Sequence, residues 1–101
     1  MKTIEYPHPG ETLLEDFMNP LGITPYRAAK SLGISQTALA AIVKGKRAIS
    51  SEMALRLEAY TGASAKFWLN LQSSYDLAKA RSDKAFISKI REIAKPEPVA
   101  A

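Results

Sequence analysis

The fold of this chain of 101 residues is decided by residues 28–45, AAKSLGISQTALAAIVKG. The stretch predicts a helix ending at Leu32, a tight turn at Gly33, a second helix capped by Ser35, and a stop at Gly45. The apolar residues share one face of the second helix: Ile34, Leu39, Ile42 and Val43. The other face is small and mostly polar: Gln36, Thr37, Ala40, Ala41 and Lys44. The second helix can therefore pack through one face and approach another molecule closely with the other.

Two short helices joined by such a turn form a helix-turn-helix, whose second helix enters the major groove of DNA. Gln36 and Thr37 are candidate base contacts, because the first turn of that helix faces the groove and glutamine pairs bidentately with adenine. The alternative is that both are ordinary solvated residues at a helix N-terminus. The candidate DNA-binding residues are Arg27, Ser35, Gln36, Thr37, Ala40, Lys44, Lys46 and Arg47.

The charge of the chain is concentrated around this motif. Although the net charge is only +4, no Asp or Glu occurs between Asp16 and Glu52. That window contains Arg27, Lys30, Lys44, Lys46 and Arg47, so it carries +5 and the rest of the chain about −1. A positive segment of this kind favours a polyanionic partner. We predict phosphate contacts for the last three cations; the alternative is a solvated loop whose cations favour a helix C-terminus.

The remaining sequence predicts further helices and no strand, and hence an all-α fold. An extended start with a turn at His8-Pro9-Gly10 leads into a first helix, whose apolar edge is Leu13, Leu14, Phe17 and Met18 and which ends at Asn19–Gly22. Thr24 and Pro25 begin the second helix. Ser50 or Ser51 begins a fourth helix through Tyr60, with Met53, Ala54 and Leu57 inward, and Gly62 closes it.

Two more helices complete the predicted chain. Ser64 opens a fifth helix with an inward face of Phe67, Trp68, Leu71 and Tyr75. A sixth helix after Ser82 and Asp83 is expected from the spacing of Phe86, Ile87, Ile90, Ile93 and Ala94. Its apolar face can fold back on the core or pair with a second copy of the chain. We expect one domain over residues 1–94 and a flexible tail over 95–101.

Composition excludes several classes of protein. Cysteine is absent, which excludes disulfides and cysteine-ligated zinc, and the single histidine leaves no multi-histidine metal site or histidine-based triad. There is no paired-carboxylate cleft or phosphate-binding glycine loop, so neither catalysis nor a cofactor is expected. No signal peptide or membrane span is visible in the sequence, and we expect a cytoplasmic protein.

Several segments together resemble the HigA family of antitoxins, within the Xre/lambda-repressor-like group. They are HPGE at 8–11, the helix-turn-helix, RAI at 47–49, ALRL at 54–57, and FWLNLQ at 67–72 followed by YDL at 75–77. The resemblance covers roughly residues 8–80 and is carried most specifically by FWLNLQ. It implies a five-helix lambda-repressor-like domain, here with an additional C-terminal helix.

In function, the resemblance implies a homodimer that binds operator DNA, represses its own operon and neutralises a HigB-type toxin, a ribosome-dependent mRNA-cleaving RNase. One position departs from the group: Pro25 stands where many relatives carry a glutamine that contacts the DNA backbone, and Tyr26 or Arg27 would replace it. Two alternatives are a stand-alone repressor without a cognate toxin and an interaction adaptor that has lost DNA binding. The acid-free basic window speaks against the adaptor.

Overall fold

The computed structural model describes residues 6–98, which form six helices and no strand. Helix α1 begins as an α-helical turn, Pro9–Thr12, and continues as a π-helical segment, Leu13–Met18. The others are α2 (Pro25–Leu32), α3 (Gln36–Val43), α4 (Ser51–Thr61), α5 (Ala65–Arg81) and α6 (Lys84–Ile90). The predicted all-α class is confirmed. Of the expected tail, residues 95–98 are irregular and residues 99–101 lie outside the described part of the chain.

The helix starts follow the predicted capping chemistry. The side-chain oxygens of Thr24, Ser35, Ser50 and Ser64 each accept a hydrogen bond, at 3.0–3.2 Å, from the backbone N–H three residues later. Each cap satisfies one of the amides that a helix N-terminus leaves without an intrahelical partner. Ser50 rather than Ser51 is therefore the cap of α4, which extends one residue beyond the predicted end at Tyr60.

The core lies where α5 crosses α4 and α1. Trp68 of α5 is fully buried, with Phe17 and Phe67 around it at ring-centroid distances of 5.6 and 5.2 Å. From the helix-turn-helix, Leu39 and Ile42 are buried and Ile34 and Val43 pack partly against them, as the apolar face predicted. Met53, Ala54 and Leu57 are also buried. Within this shared core, α3 packs against α1 and α2, which fixes its position in the domain.

The prediction for the N-terminal segment is wrong in two respects. Pro9 is not extended but is the first residue of α1, and Gly10 lies inside that helix instead of preceding it. The reason is that buried His8 caps the helix, its Nδ1 accepting a hydrogen bond of 2.9 Å from the N–H of Gly10. Proline suits the first helical position because it has no N–H to satisfy.

The inward face of α5 and the end of α6 also differ from prediction. Phe67 is 40 % exposed, because consecutive helical residues point about 100° apart and Trp68 occupies the inward position. Helix α6 ends at Ile90, so Ile93 and Ala94 lie beyond it; the N–H groups of Glu92 and Ile93 bond three residues back, tightening the last turn. Helix α6 packs on α5, yet none of its residues is buried.

None of the helices within residues 6–98 combines the length and the apolar character that a bilayer crossing requires.

Candidate nucleic-acid interface

The turn between α2 and α3 is closed by backbone hydrogen bonds. Gly33 has φ 73°, its N–H bonds to the carbonyl of Lys30 at 3.2 Å, and the N–H of Ile34 bonds to the carbonyl of Ala29 at 3.0 Å. This pairing is a Schellman motif, and it turns the chain sharply out of α2. A third bond comes from another helix, because Nη1 of Arg56 donates to the carbonyl of Leu32 at 2.8 Å. The angle between α2 and α3 is thus fixed locally and from α4.

The first turn of α3 presents its polar residues to solvent. Gln36 and Thr37 are exposed. Ser35 accepts from the N–H of Ala38 at 3.0 Å, which leaves its hydroxyl hydrogen available to donate. Ala40 is half-buried, so its methyl group keeps the middle of α3 narrow. The side of α3 that faces away from the core therefore carries polar side chains in its first turn and a small side chain in its middle.

Residues 44–50, which we call the basic loop, follow α3 directly. Gly45 has φ 74°, and a second Schellman motif forms where the N–H groups of Gly45 and Lys46 bond to the carbonyls of Ile42 and Ala41 at 3.0 and 2.9 Å. Lys44, Lys46 and Arg47 are all exposed. The loop ends at Ser50, the cap of α4. Three cations thus stand beside the exposed stripe of α3.

Arg27 lies at the other end of the motif, in the first turn of α2. Its side chain is exposed, and its backbone N–H donates to the Thr24 cap at 3.2 Å. Neighbouring Tyr26 is 56 % exposed, with Nζ of Lys30 at 5.9 Å from the ring centroid, within cation–π range. Tyr26 and Arg27, the two residues expected to replace the glutamine that many relatives carry in place of Pro25, are therefore both accessible.

The sequence did not single out Gln72 as a functional residue, and the structure places it beneath the basic loop. Gln72 is 7 % exposed; its Oε1 accepts from the N–H of Ile49 at 2.7 Å and its Nε2 donates to Oδ1 of Asp76 at 2.9 Å. The only sequence signal was its place in FWLNLQ and its spacing of four residues from Asp76.

His8 approaches the same loop from the N-terminal side. Its ring meets the ring of Tyr75 edge to face at 4.9 Å, and a Cβ added at Gly45 would lie 3.6 Å from its Cγ. Burial lowers the pKa of His8, while the negative charge of Asp76 opposes that shift. The turn expected at His8 is therefore a buried cap that packs against the end of α3.

Metal binding has no visible basis in this part of the chain. Across residues 6–98, no group of three or more His, Asp or Glu side chains is arranged to hold a metal ion.

Known proteins are similar to this chain in sequence and in architecture. Residues 14–68 match the model of the Helix-turn-helix family HTH_3. The Virulence-associated protein I of Dichelobacter nodosus is 42 % identical over 83 residues, which are 82 % of this chain and 77 % of that protein.

Two solved structures of similar proteins superpose over most of the chain. The antitoxin HigA of Pseudomonas aeruginosa, solved with the higBA promoter, is 39 % identical with a TM-score of 0.81, covering 91 % of this chain and 98 % of that one. An addiction module antidote protein of the HigA family from Coxiella burnetii is 34 % identical with a TM-score of 0.81, covering 93 % and 100 %. The chain therefore belongs to the Xre-type helix-turn-helix family and, within it, to the HigA group.

Proposed function

We propose that this protein is a DNA-binding antitoxin, which represses its own operon as a homodimer and neutralises a HigB-type, mRNA-cleaving toxin. The observation that carries the DNA-binding part is the exposed stripe of α3 continuing into a loop with three exposed cations, in a window without carboxylates. The Pseudomonas aeruginosa HigA that superposes on this chain was solved with a promoter. Both proposed partners, the operator and a toxin that acts on translating ribosomes, are found in the cytoplasm, so we place the protein there.

In the proposed DNA complex, phosphate contacts hold the protein and base contacts select the site. Lys44, Lys46 and Arg47 contact phosphates after α3, and Arg27 does so at the start of α2. Gln36 and Thr37 reach base edges, and Ser35 donates its hydroxyl hydrogen to the backbone or to a base. The small side chain of Ala40 allows α3 to sit deep in the groove.

The homodimer is supported by the exposed apolar surface near the C-terminus. Two recognition helices must lie roughly 34 Å apart to meet successive major grooves, so a helix-turn-helix protein needs a pairing element. Leu77 of α5 and Phe86 and Ile90 of α6 are 49 %, 45 % and 39 % exposed. Solvent contact of neighbouring large apolar side chains is unfavourable, and a second copy would remove it. We therefore place the pairing surface on α5 and α6.

The toxin partner is inferred from the family, because two similar structures are of proteins named as an antitoxin and an antidote protein. The experiment is to look for a small reading frame beside the gene and to coexpress its product with this protein. The antitoxin proposal predicts rescue of growth and copurification of the two products. Absence of any interaction with the neighbouring product would favour the alternative, a stand-alone Xre-type repressor.

A double variant separates the two activities of the proposed antitoxin. Gln36→Ala with Lys44→Ala changes two exposed side chains, so the core around Leu39 and Ile42 and the melting temperature should be preserved. We expect this variant to lose repression in a promoter–reporter strain and still to protect against the toxin. Loss of protection at normal abundance would place toxin binding on or near α3.

A further inference from the structure

Hydrogen bonds hold the basic loop at its start, near its middle and at its end, and the bond near its middle comes from a distant part of the chain. The start of the loop is fixed by the carbonyls of α3, and its end by the Ser50 cap, whose Oγ accepts from the N–H of Met53 at 3.1 Å. Between them, the N–H of Ile49 donates to Oε1 of Gln72, which is 23 residues away on α5. Ile49 itself is 5 % exposed, so this amide has little access to water as an alternative partner.

The chemistry of the neighbours fixes the orientation of the Gln72 amide. The carboxylate of Asp76 only accepts hydrogen bonds, so it must face Nε2 of Gln72. The backbone N–H of Ile49 only donates, so it must face Oε1. Asp76 thus aims the oxygen of Gln72 at the loop, and both ends of the amide are satisfied.

The residue that Gln72 anchors, Ile49, is close in sequence to the cations that the DNA complex would use. Lys46 and Arg47 lie two and three residues before Ile49, and both are exposed. Like charges placed this close repel one another, and that repulsion favours an open, variable loop. A carboxylate at the place of the Gln72 amide would partly cancel the attraction of the loop for phosphate. A neutral amide oxygen holds the loop and leaves that attraction intact.

We infer that Gln72 is a positioning residue of the DNA interface: through Ile49 it holds the basic loop in the form in which Lys46 and Arg47 reach phosphates, and it touches no DNA itself. The inference rests on the proposed DNA-binding function. Without the anchor, the N–H of Ile49 has no partner and the loop between its two fixed ends is held less tightly, so forming the phosphate contacts costs more conformational entropy.

The test uses the full-length chain and a labelled duplex that the unmodified protein selects from a random library. Gln72→Met keeps the length of the side chain and removes the acceptor for Ile49. At a temperature where the variant is folded by circular dichroism, we expect affinity to fall about tenfold or more and the slope of log Kd against log salt to decrease by about one to two per half-site.

A matched control separates positioning from a general loss of stability. Thr61 plays a comparable part in the connection from α4 to α5, where its Oγ1 donates to the carbonyl of Leu57 at 2.7 Å and accepts from the N–H of Ala63 at 3.1 Å. Thr61→Val is expected to lower the melting temperature while leaving affinity and salt slope unchanged. Equal binding by the Gln72→Met variant and the parent would overturn the inference.

A charge-swapped pair provides the rescue. Gln72→Glu alone places two carboxylates side by side, whereas adding Asp76→Asn supplies an amide donor to the introduced carboxylate and keeps the net charge constant. The double variant again offers an acceptor to the N–H of Ile49, so it should bind the duplex more tightly than Gln72→Met, but less tightly than the parent, because its carboxylate now faces the basic loop. Binding no tighter than that of Gln72→Met, when the double variant is folded, would contradict the inference. If Gln72→Met does not fold, Gln72→Asn, whose shorter side chain cannot reach Ile49, is held to the same slope criterion.

The proposed DNA-binding function and the positioning role of Gln72 are refuted by different results. The proposed DNA-binding function fails if the unmodified protein selects no duplex from the library and its residual binding to DNA does not depend on salt concentration. If it binds and the Gln72 variants bind equally well, only the positioning role fails.

Discussion

Gly10→Ala should strongly destabilise the folded protein, although helix propensity alone predicts a small stabilisation. In an unhindered helix interior this change stabilises by roughly 0.5–1 kcal/mol, because alanine has the higher helix propensity. Here the added Cβ would overlap the carbonyl oxygen of Ile42 and lie 2.8 Å from Cα of Val43. Both atoms belong to the backbone of α3, so no side-chain rotation relieves the clash. Since Cβ atoms essentially never come nearer than 3.0 Å to such atoms, α1 and α3 must separate.

We expect this separation to cost about 3 kcal/mol, the upper range for overpacking a well-packed core. For a domain of this size the melting temperature should then fall by roughly 12–24 °C, measured by circular dichroism with urea titrations to obtain the free energy of unfolding. Gly22→Ala is the control: Gly22 has φ +66° and nothing within 4 Å of an added Cβ, so only about 1–2 kcal/mol of backbone strain is expected. A Gly10→Ala protein as stable as its parent would refute the close approach of α1 to α3.

Three further predictions concern pH, DNA and assembly. Because burial lowers the pKa of His8, the unfolded chain binds the proton more readily; unfolding free energy should reach its plateau above about pH 6.5 and fall as pH drops from there towards the lowered pKa, and His8→Asn should flatten this part of a melting-temperature series. Alanine at any one of the three cations of the basic loop should lower the salt slope by about one unit and weaken all DNA binding, whereas Gln36→Ala should cost about 1–3 kcal/mol on the preferred site alone; unchanged discrimination in mobility shifts would remove Gln36 from base readout. Truncation after Arg81 should leave a folded, monomeric or weakly dimeric domain with reduced operator affinity, and a tight dimer in sedimentation would place the interface in α1–α5.

The sequence predicts most of the fold where the determining chemistry is local. Ser35 lies three residues before the amide that it caps, and Gly33 lies within one turn of the carbonyls that close the exit from α2. Such signals are read within a few residues, and the helix starts at Thr24, Ser50 and Ser64 agree with them. The exposed positions of Gln36 and Thr37 follow equally from helical periodicity.

Prediction fails where the partner of a residue is far along the chain. Gly10 looks like a helix breaker before its helix; the buried cap at His8 explains why α1 begins earlier, and the close approach of the Ile42 backbone explains why a glycine stands inside it. Phe67 and Trp68 are adjacent aromatic residues, so periodicity alone does not decide which is inward; the packing of Trp68 against Phe17 does. For Gln72, the partner is a backbone N–H, which every non-proline residue carries and no sequence pattern marks.

The charge of the basic loop explains why it is held by a residue that is distant along the chain. A loop that must attract phosphate cannot use a nearby carboxylate to balance its own repulsion, because that charge would reduce the attraction. In this chain the negative charge does not bond to the loop directly. Asp76 accepts a hydrogen bond from Gln72 and orients it, and the neutral amide oxygen of Gln72 accepts the bond from the loop. Asp76 also acts on His8, which packs against Gly45 at the start of the loop. In the proposed DNA complex, α5 as well as the helix-turn-helix therefore determines how the cations of the basic loop are presented.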